Sequence, residues 1–182
     1  MEKMNDITAD MPELALGTKV LREEYVNGAA RPVVVLGIGN ILLSDEGFGV
    51  RVVEYLSEQG GLPDNVELVD GGTLGPELLR FISGAGKLII VDAVKGAEDD
   101  EPGKMYRFVG ADVNEHFSQR LMAHELGITD LLTLMRLTGQ SAPEIEVLGA
   151  VPYDLSPSLS MTEKMTELVP TIAEQVRKDA VI

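Results

Sequence analysis

The chain has no cysteine and no tryptophan, and only two histidines among its 182 residues. Without cysteine there is no disulfide, no thiol nucleophile and no thiolate metal site, so any metal must be held by carboxylate, imidazole, carbonyl or water. Aromatic residues make up 4% of the sequence, which leaves the core to Val, Ile, Leu, Ala and Met. Positive charge is also scarce: 15 Lys and Arg stand against 30 Asp and Glu, for a formal net charge of −15. That balance argues against nucleic acid and anionic membrane surfaces, and favours a basic partner or a cation. No apolar run approaches transmembrane length, and no basic segment followed by an apolar one opens the chain. A cytoplasmic, unprocessed protein is the expectation. The rest of the composition, 45% hydrophobic and 25% charged, is ordinary for a globular protein.

The chain is long enough for one substantial core and needs no second domain. Residues 1–31 read as a polar, acidic N-terminal extension, partly ordered, ahead of a single domain spanning 32–182. That domain opens on PVVVLGIGNILLSDEGFGVRVVEYL, from Pro32 to Leu56. Its apolar run Val33 to Leu36 suits a strand buried on both faces. A glycine break at Gly37 and Gly39 follows, then Ser44-Asp45-Glu46, expected at the surface, then a helical pattern from Gly47. Val52, Val53 and Leu56 share one face of that helix, and Arg51, Glu54 and Glu58 another. The loop does not suit a nucleotide: a dinucleotide fingerprint needs a third glycine where Leu42 stands, and Asp45 and Glu46 would repel a phosphate.

Further on, Val66 to Val69 reads as a second strand ending at Asp70, with the flexible Gly71-Gly72-Thr73 after it. Pro76 opens a short helix to about Ser83. Lys87 to Val91 is a third buried strand, stopping at Asp92. Tyr106 to Val109 and Glu144 to Val151 are further strands, the latter with Ile145, Val147 and Gly149 on one face. A helix is expected from about Leu126 to Thr138, with Gly139 as its cap. Ser160-x-x-Glu163 has the form of a capping box for a final helix, which Pro170 should kink. Strand–helix alternation predicts a three-layer αβα fold around a mainly parallel, twisted sheet.

In such a fold ligands gather beyond the carboxyl ends of the strands, where Glu46, Asp70, Asp92 and His124 are expected to converge. Carboxylates and an imidazole can bind a borderline or hard divalent metal, or do acid–base work on water. Each residue has a plainer alternative. Asp70 and Asp92 can be turn residues, Glu46 can sit favourably at a helix N-terminus, and a lone histidine is often structural. The zincin pattern H-E-x-x-H fails, since Ile128 stands where the second histidine belongs. Neither a G-x-S-x-G motif nor a plausible Ser-His-Asp order is present.

Four segments in order, VLGIGNILLSDEGFGVRVVE, LVDGGTLG, LIIVDAV and AHELG, make the sequence resemble the maturation endopeptidases of nickel–iron hydrogenases over about residues 32–178. The resemblance implies a protease that removes a C-terminal peptide from the hydrogenase large-subunit precursor after nickel insertion. It places metal contacts on Glu46, Asp92 and His124. With such a set, a carboxylate (Asp92 or Glu46) or a metal-polarised water is expected to assist hydrolysis. It associates Asp70, Gly71, Gly72 and Thr73 with substrate recognition. Nickel would be supplied by the substrate, with no tightly bound cofactor at rest, and a monomer is expected. The extension over 1–31 departs from the family's usual pattern. Two rivals stand beside this reading: a chaperone-like module that binds the immature subunit or nickel without cleaving, and a metal-independent aspartic-type peptidase.

Overall fold

The computed structural model describes residues 32–73, 75–110 and 143–181, together with helical positions 133, 135 and 137. The expected extension over 1–31, His116, His124 and the segment from 111 to 132 lie outside the described residues.

Among the described residues five strands form one sheet: β1 (Val33–Ile38), β2 (Val66–Gly72), β3 (Lys87–Ala93), β4 (Met105–Val109) and β5 (Glu144–Ala150). Their spatial order is β2-β1-β3-β5-β4, with every pairing parallel except that of the edge strand β4 with β5. The mainly parallel sheet expected from the sequence is the one observed. The helices described from end to end are α1 (Phe48–Gln59), α2 (Leu79–Ile82), α3 (Glu163–Thr166) and α4 (Val169–Asp179). Single 3-10 turns at Ser44–Gly47 and Pro76–Leu78 lead into α1 and α2.

Two apolar clusters show why the central strands read as continuous hydrophobic runs. Val34, Leu36, Leu88, Ile90 and Val147 pack on one face with Leu78, Ile82 and the helical Met135. Val33, Val35, Ile89, Val91 and Leu148 pack on the other with Phe48, Leu56, Met165, Ile172 and Val176. Burying each large aliphatic or aromatic side chain contributes about 1.5–3 kcal/mol, so both layers add to the stability of the sheet. β1 can satisfy this arrangement because all six of its residues are apolar or glycine.

The end of the chain departs from expectation in two ways. The N-cap of α3 is Thr162, whose hydroxyl accepts from the Met165 N–H at 3.2 Å, and not Ser160. Ser160 instead gives its carbonyl to the hydroxyls of Ser44 and Ser158. Pro170 kinks nothing. It lies in the first turn of α4, where a missing N–H leaves no helical bond unmade, so one expected helix is two.

An ion cluster at the opposite edge, where the parallel strands begin, ties α4 to the sheet. Glu146, wholly buried in β5, meets Arg107 Nε at 2.6 Å and Lys87 Nζ at 3.1 Å. Arg107 also reaches Asp179 at 3.2 Å, and Lys87 donates to the Asp179 carbonyl at 2.9 Å. Burial raises the Glu146 carboxyl above its ordinary value, the hydrogen bond with Asp179 acts in the same direction, and Lys87 opposes. Asp179 is shifted down, because hydrogen bonds from Gln175 and Glu146 and the charge of Arg107 outweigh its burial.

The signs of these two shifts differ. The folded protein holds the Glu146 proton more tightly than the unfolded chain does. Its favourable contribution is therefore present below the ordinary glutamate pKa and lost as pH rises through the raised value. The Asp179 contribution is present above the ordinary aspartate pKa and lost as pH falls through the lowered one. Glu146→Gln removes the first and keeps Asp179 titratable. The melting temperature of wild type relative to Glu146→Gln, whose neutral amide resembles the protonated acid, should be most favourable in acid and should fall as pH rises through the carboxylate range. A wild type that gains on the variant as pH rises contradicts the assignment.

Candidate active site

The carboxyl edge of the sheet is built by register. Gly37 of β1 lies opposite Asp70 of β2 on one side and Val91 of β3 on the other, so Asp92 follows one residue beyond that row. Two interstrand spacings, about 10 Å, separate the β2 and β3 positions. Asp92 is wholly buried and lies opposite Gly149 of β5. β3 continues through it to Ala93, one to two residues further than the apolar run suggested.

Asp70 is different. It is exposed, and its Oδ1 accepts from the Gly72 N–H at 3.0 Å, which is the turn role open to it from sequence. The glycines after it serve packing: Gly71 is buried against Leu36 and Leu78, and the Gly72 carbonyl accepts from the Gly39 N–H at 2.9 Å. β2 therefore runs on to Gly72, with a bulge at this point. Thr73 is exposed at the end of the segment.

Ser44, Asp45 and Glu46 are buried, at 4%, 0% and 5% exposure, where the sequence suggested an exposed tip. The glycines explain how. Gly39 has φ +136°, and a Cβ there would collide with the carbonyl oxygen of Glu46. The loop after β1 is thus closed over the chain's own 3-10 turn, which packs against β3. The helix proper begins at Phe48 and not at Gly47.

Asp45 holds this turn in place, and nothing in the sequence singled it out. Its Oδ2 accepts from the N–H groups of Tyr153 and Asp154 at 2.9 and 3.0 Å and from the Thr162 hydroxyl at 3.1 Å. Its Oδ1 accepts from the Thr162 N–H at 2.7 Å. Backbone bonds run alongside: Ser44 N–H to the Ser158 carbonyl at 3.0 Å, Asp45 N–H to the Asp154 carbonyl at 3.1 Å, and Ser158 N–H to the Leu42 carbonyl at 3.0 Å. Ser44 itself sits at φ +49°, a costly conformation for a residue with a side chain, and it is held there by bonds on both sides.

Glu46, next in the chain, is buried, and its Oε2 has no hydrogen-bond partner among the described residues. A buried carboxylate oxygen without a donor carries a desolvation cost that an arriving cation or N–H group would relieve. Among the described residues no three His, Asp or Glu side chains form a metal-sized group, and His124, the expected third contact, lies outside them. The structure therefore brings Glu46 and Asp92 to one edge as buried carboxylates and leaves Asp70 at its surface. No helix among the described residues is long and apolar enough to cross a membrane.

A family model described as hydrogenase maturation protease matches residues 50–179. The hydrogenase 2 maturation protease of Escherichia coli (strain K12) is 38% identical over 144 residues, covering 79% of this chain and 87% of that protein. The hydrogenase expression/formation protein HupM of Azotobacter chroococcum is 39% identical over 139 residues, covering 71% of this chain and 62% of its own length. Among solved structures, the hydrogenase maturating endopeptidase HybD from E. coli superposes with a TM-score of 0.73 at 38% identity, covering 80% of this chain and 89% of that one. A hydrogenase 2 maturation peptidase from a thaumarchaeon superposes with a TM-score of 0.62 at 31% identity, covering 83% and 99%. Two buried carboxylates at the carboxyl edge of an α/β sheet suit hydrolysis, and the chain belongs to the hydrogenase maturation protease family of peptidases.

Proposed function

We infer that this chain is an endopeptidase that removes the C-terminal peptide of a nickel–iron hydrogenase large-subunit precursor, and that nickel already inserted in the precursor is its recognition element. The observation that carries this reading is Glu46: a glutamate buried at the carboxyl edge, with one oxygen lacking a donor among the described residues. In a family of maturation proteases, the complement to that oxygen is something the substrate brings. Nickel accepts carboxylate and imidazole ligands, which are the donors this cysteine-free chain offers.

In this reading Glu46, Asp92 and His124 contact the precursor's nickel from one side and so fix the scissile peptide in the cleft. Asp70, with Gly71, Gly72 and Thr73, meets the substrate at the rim, where Asp70 and Thr73 are exposed. Hydrolysis adds a water oxygen to the peptide carbonyl. Asp92 or Glu46 takes the water's proton as that bond forms, and the departing amine receives a proton as the C–N bond breaks. The absence of cysteine excludes a thiolate acyl-enzyme.

Incubation of the protein with nickel-loaded precursor, followed by intact-mass measurement, tests the reading. A large subunit shortened at its C-terminus is expected. A stable complex with no shortened product would make this chain a binding module and overturn the proteolytic assignment.

A further inference from the structure

We propose that Asp45 is a positioning residue for the reaction: it locks the Ser44–Gly47 turn against the 152–162 loop and thereby fixes the buried Glu46 carboxylate at the sheet edge. The proposal rests on the proteolytic reading above and assigns a role to a residue that neither the fold nor the family resemblance singles out.

Three observations carry it. First, Asp45 is wholly buried yet is not an isolated charge, because three backbone N–H groups and one hydroxyl converge on its two oxygens. A carboxylate takes four such donors; an amide would have to turn its NH2 toward at least one of them. Secondly, those donors come from Tyr153, Asp154 and Thr162, more than a hundred residues along the chain, so the bonds join two separate loops. Thr162 extends the link, donating to Asp45 through its hydroxyl while accepting from the Met165 N–H to cap α3. Thirdly, Glu46 is the adjacent residue, and its own Oε2 has no hydrogen-bond partner among the described residues. The backbone that carries Glu46 is pinned by Asp45 and by the strained Ser44.

A displacement of about 1 Å in a reacting group costs on the order of 100-fold in rate, so loosening the turn should be read in turnover more than in binding. The experiment compares wild type, Asp45→Asn, Thr162→Val and Val176→Ala on nickel-loaded precursor, with melting temperatures measured in parallel. Val176 is buried in α4 on the apolar face away from the site, so its truncation lowers stability by a cavity without touching the turn. Asp45→Asn should lose roughly 10- to 100-fold in kcat with KM little changed, well below its melting temperature. Thr162→Val should lose less in the same direction and serves if Asp45→Asn does not fold. Val176→Ala should cleave at the wild-type rate despite its lower melting temperature.

A kcat for Asp45→Asn or Thr162→Val that equals wild type, with only the melting temperature reduced, overturns the proposal. Failure of wild type itself to cleave would instead sink the proteolytic reading. Amide hydrogen exchange then decides the Asp45 role separately. The Asp45 and Glu46 N–H groups bond to the Asp154 and Leu43 carbonyls. They should exchange faster in Asp45→Asn than in Val176→Ala, and equal exchange rejects the clamp.

Discussion

Glu46→Gln is expected to abolish processing of the precursor while leaving the fold intact. The substitution keeps the length and shape of a side chain that is 5% exposed, so no cavity opens. It removes a buried negative charge whose Oε2 has no hydrogen-bond partner among the described residues, which lowers a desolvation cost. Melting temperature should therefore hold or rise. Turnover should fall by roughly 100- to 10,000-fold, because a neutral amide neither takes a proton from water nor neutralises a cation. Activity lost with stability kept is the pattern of a functional carboxylate. A variant that cleaves normally, or that melts much earlier and cleaves normally below its melting point, makes Glu46 a structural residue.

Gly49→Ala should give the opposite pattern. In the interior of an exposed helix this change usually stabilises, by up to about 1 kcal/mol. Here α1 crosses the sheet with backbone against backbone. A Cβ on Gly49 would collide with the carbonyl oxygens of Val91 and Ile38 and lie 2.7 Å from the Ile38 nitrogen. None of those atoms is the end of a flexible side chain, so β1, β3 and α1 would have to part. We expect a cost on the order of 4 kcal/mol and a melting temperature lower by roughly 8–16 °C. Thermal unfolding checks this directly, and a variant as stable as wild type would show that the approach of α1 to the sheet is looser than described.

These two residues also mark what the sequence does and does not disclose. β1 and β3 were readable because a strand covered on both faces must be apolar at nearly every position, and Val33 to Leu36 and Leu88 to Val91 are. The carboxyl-edge position of Asp92 followed from the end of such a run. Glu146 was hidden by the same logic misapplied. Alternation of Ile145 and Val147 leaves Glu146 on the opposite face, and in a sheet with helices on both sides that face is buried too. A charged residue there needs partners, and Arg107 and Lys87 supply them from neighbouring strands.

The stretch Ser44-Asp45-Glu46 misled for a related reason. Composition marks it as a surface tip, but its burial depends on N–H groups of Tyr153, Asp154 and Thr162, which no local pattern announces. Asp45 was therefore invisible, while Glu46 was placed at the carboxyl edge by the strand–loop–helix pattern and given its metal role by the family resemblance. Pro170 and Thr162 show the limit at helix ends. Whether a proline kinks one helix or opens a second depends on where the preceding turn stops, and here it stops at Thr166. The helix containing Met135 agrees with expectation at its described positions, whereas His124 before it lies outside them.

The central claim is that the substrate's nickel, met by buried carboxylates, licenses cleavage. The most direct test is to incubate this protein with one large-subunit precursor prepared with and without inserted nickel, and to weigh the products intact. Loss of a C-terminal peptide from the nickel-loaded form alone is the predicted result. Equal cleavage of the nickel-free form would contradict it, leaving a peptidase in which Glu46 and Asp92 act without any metal checkpoint.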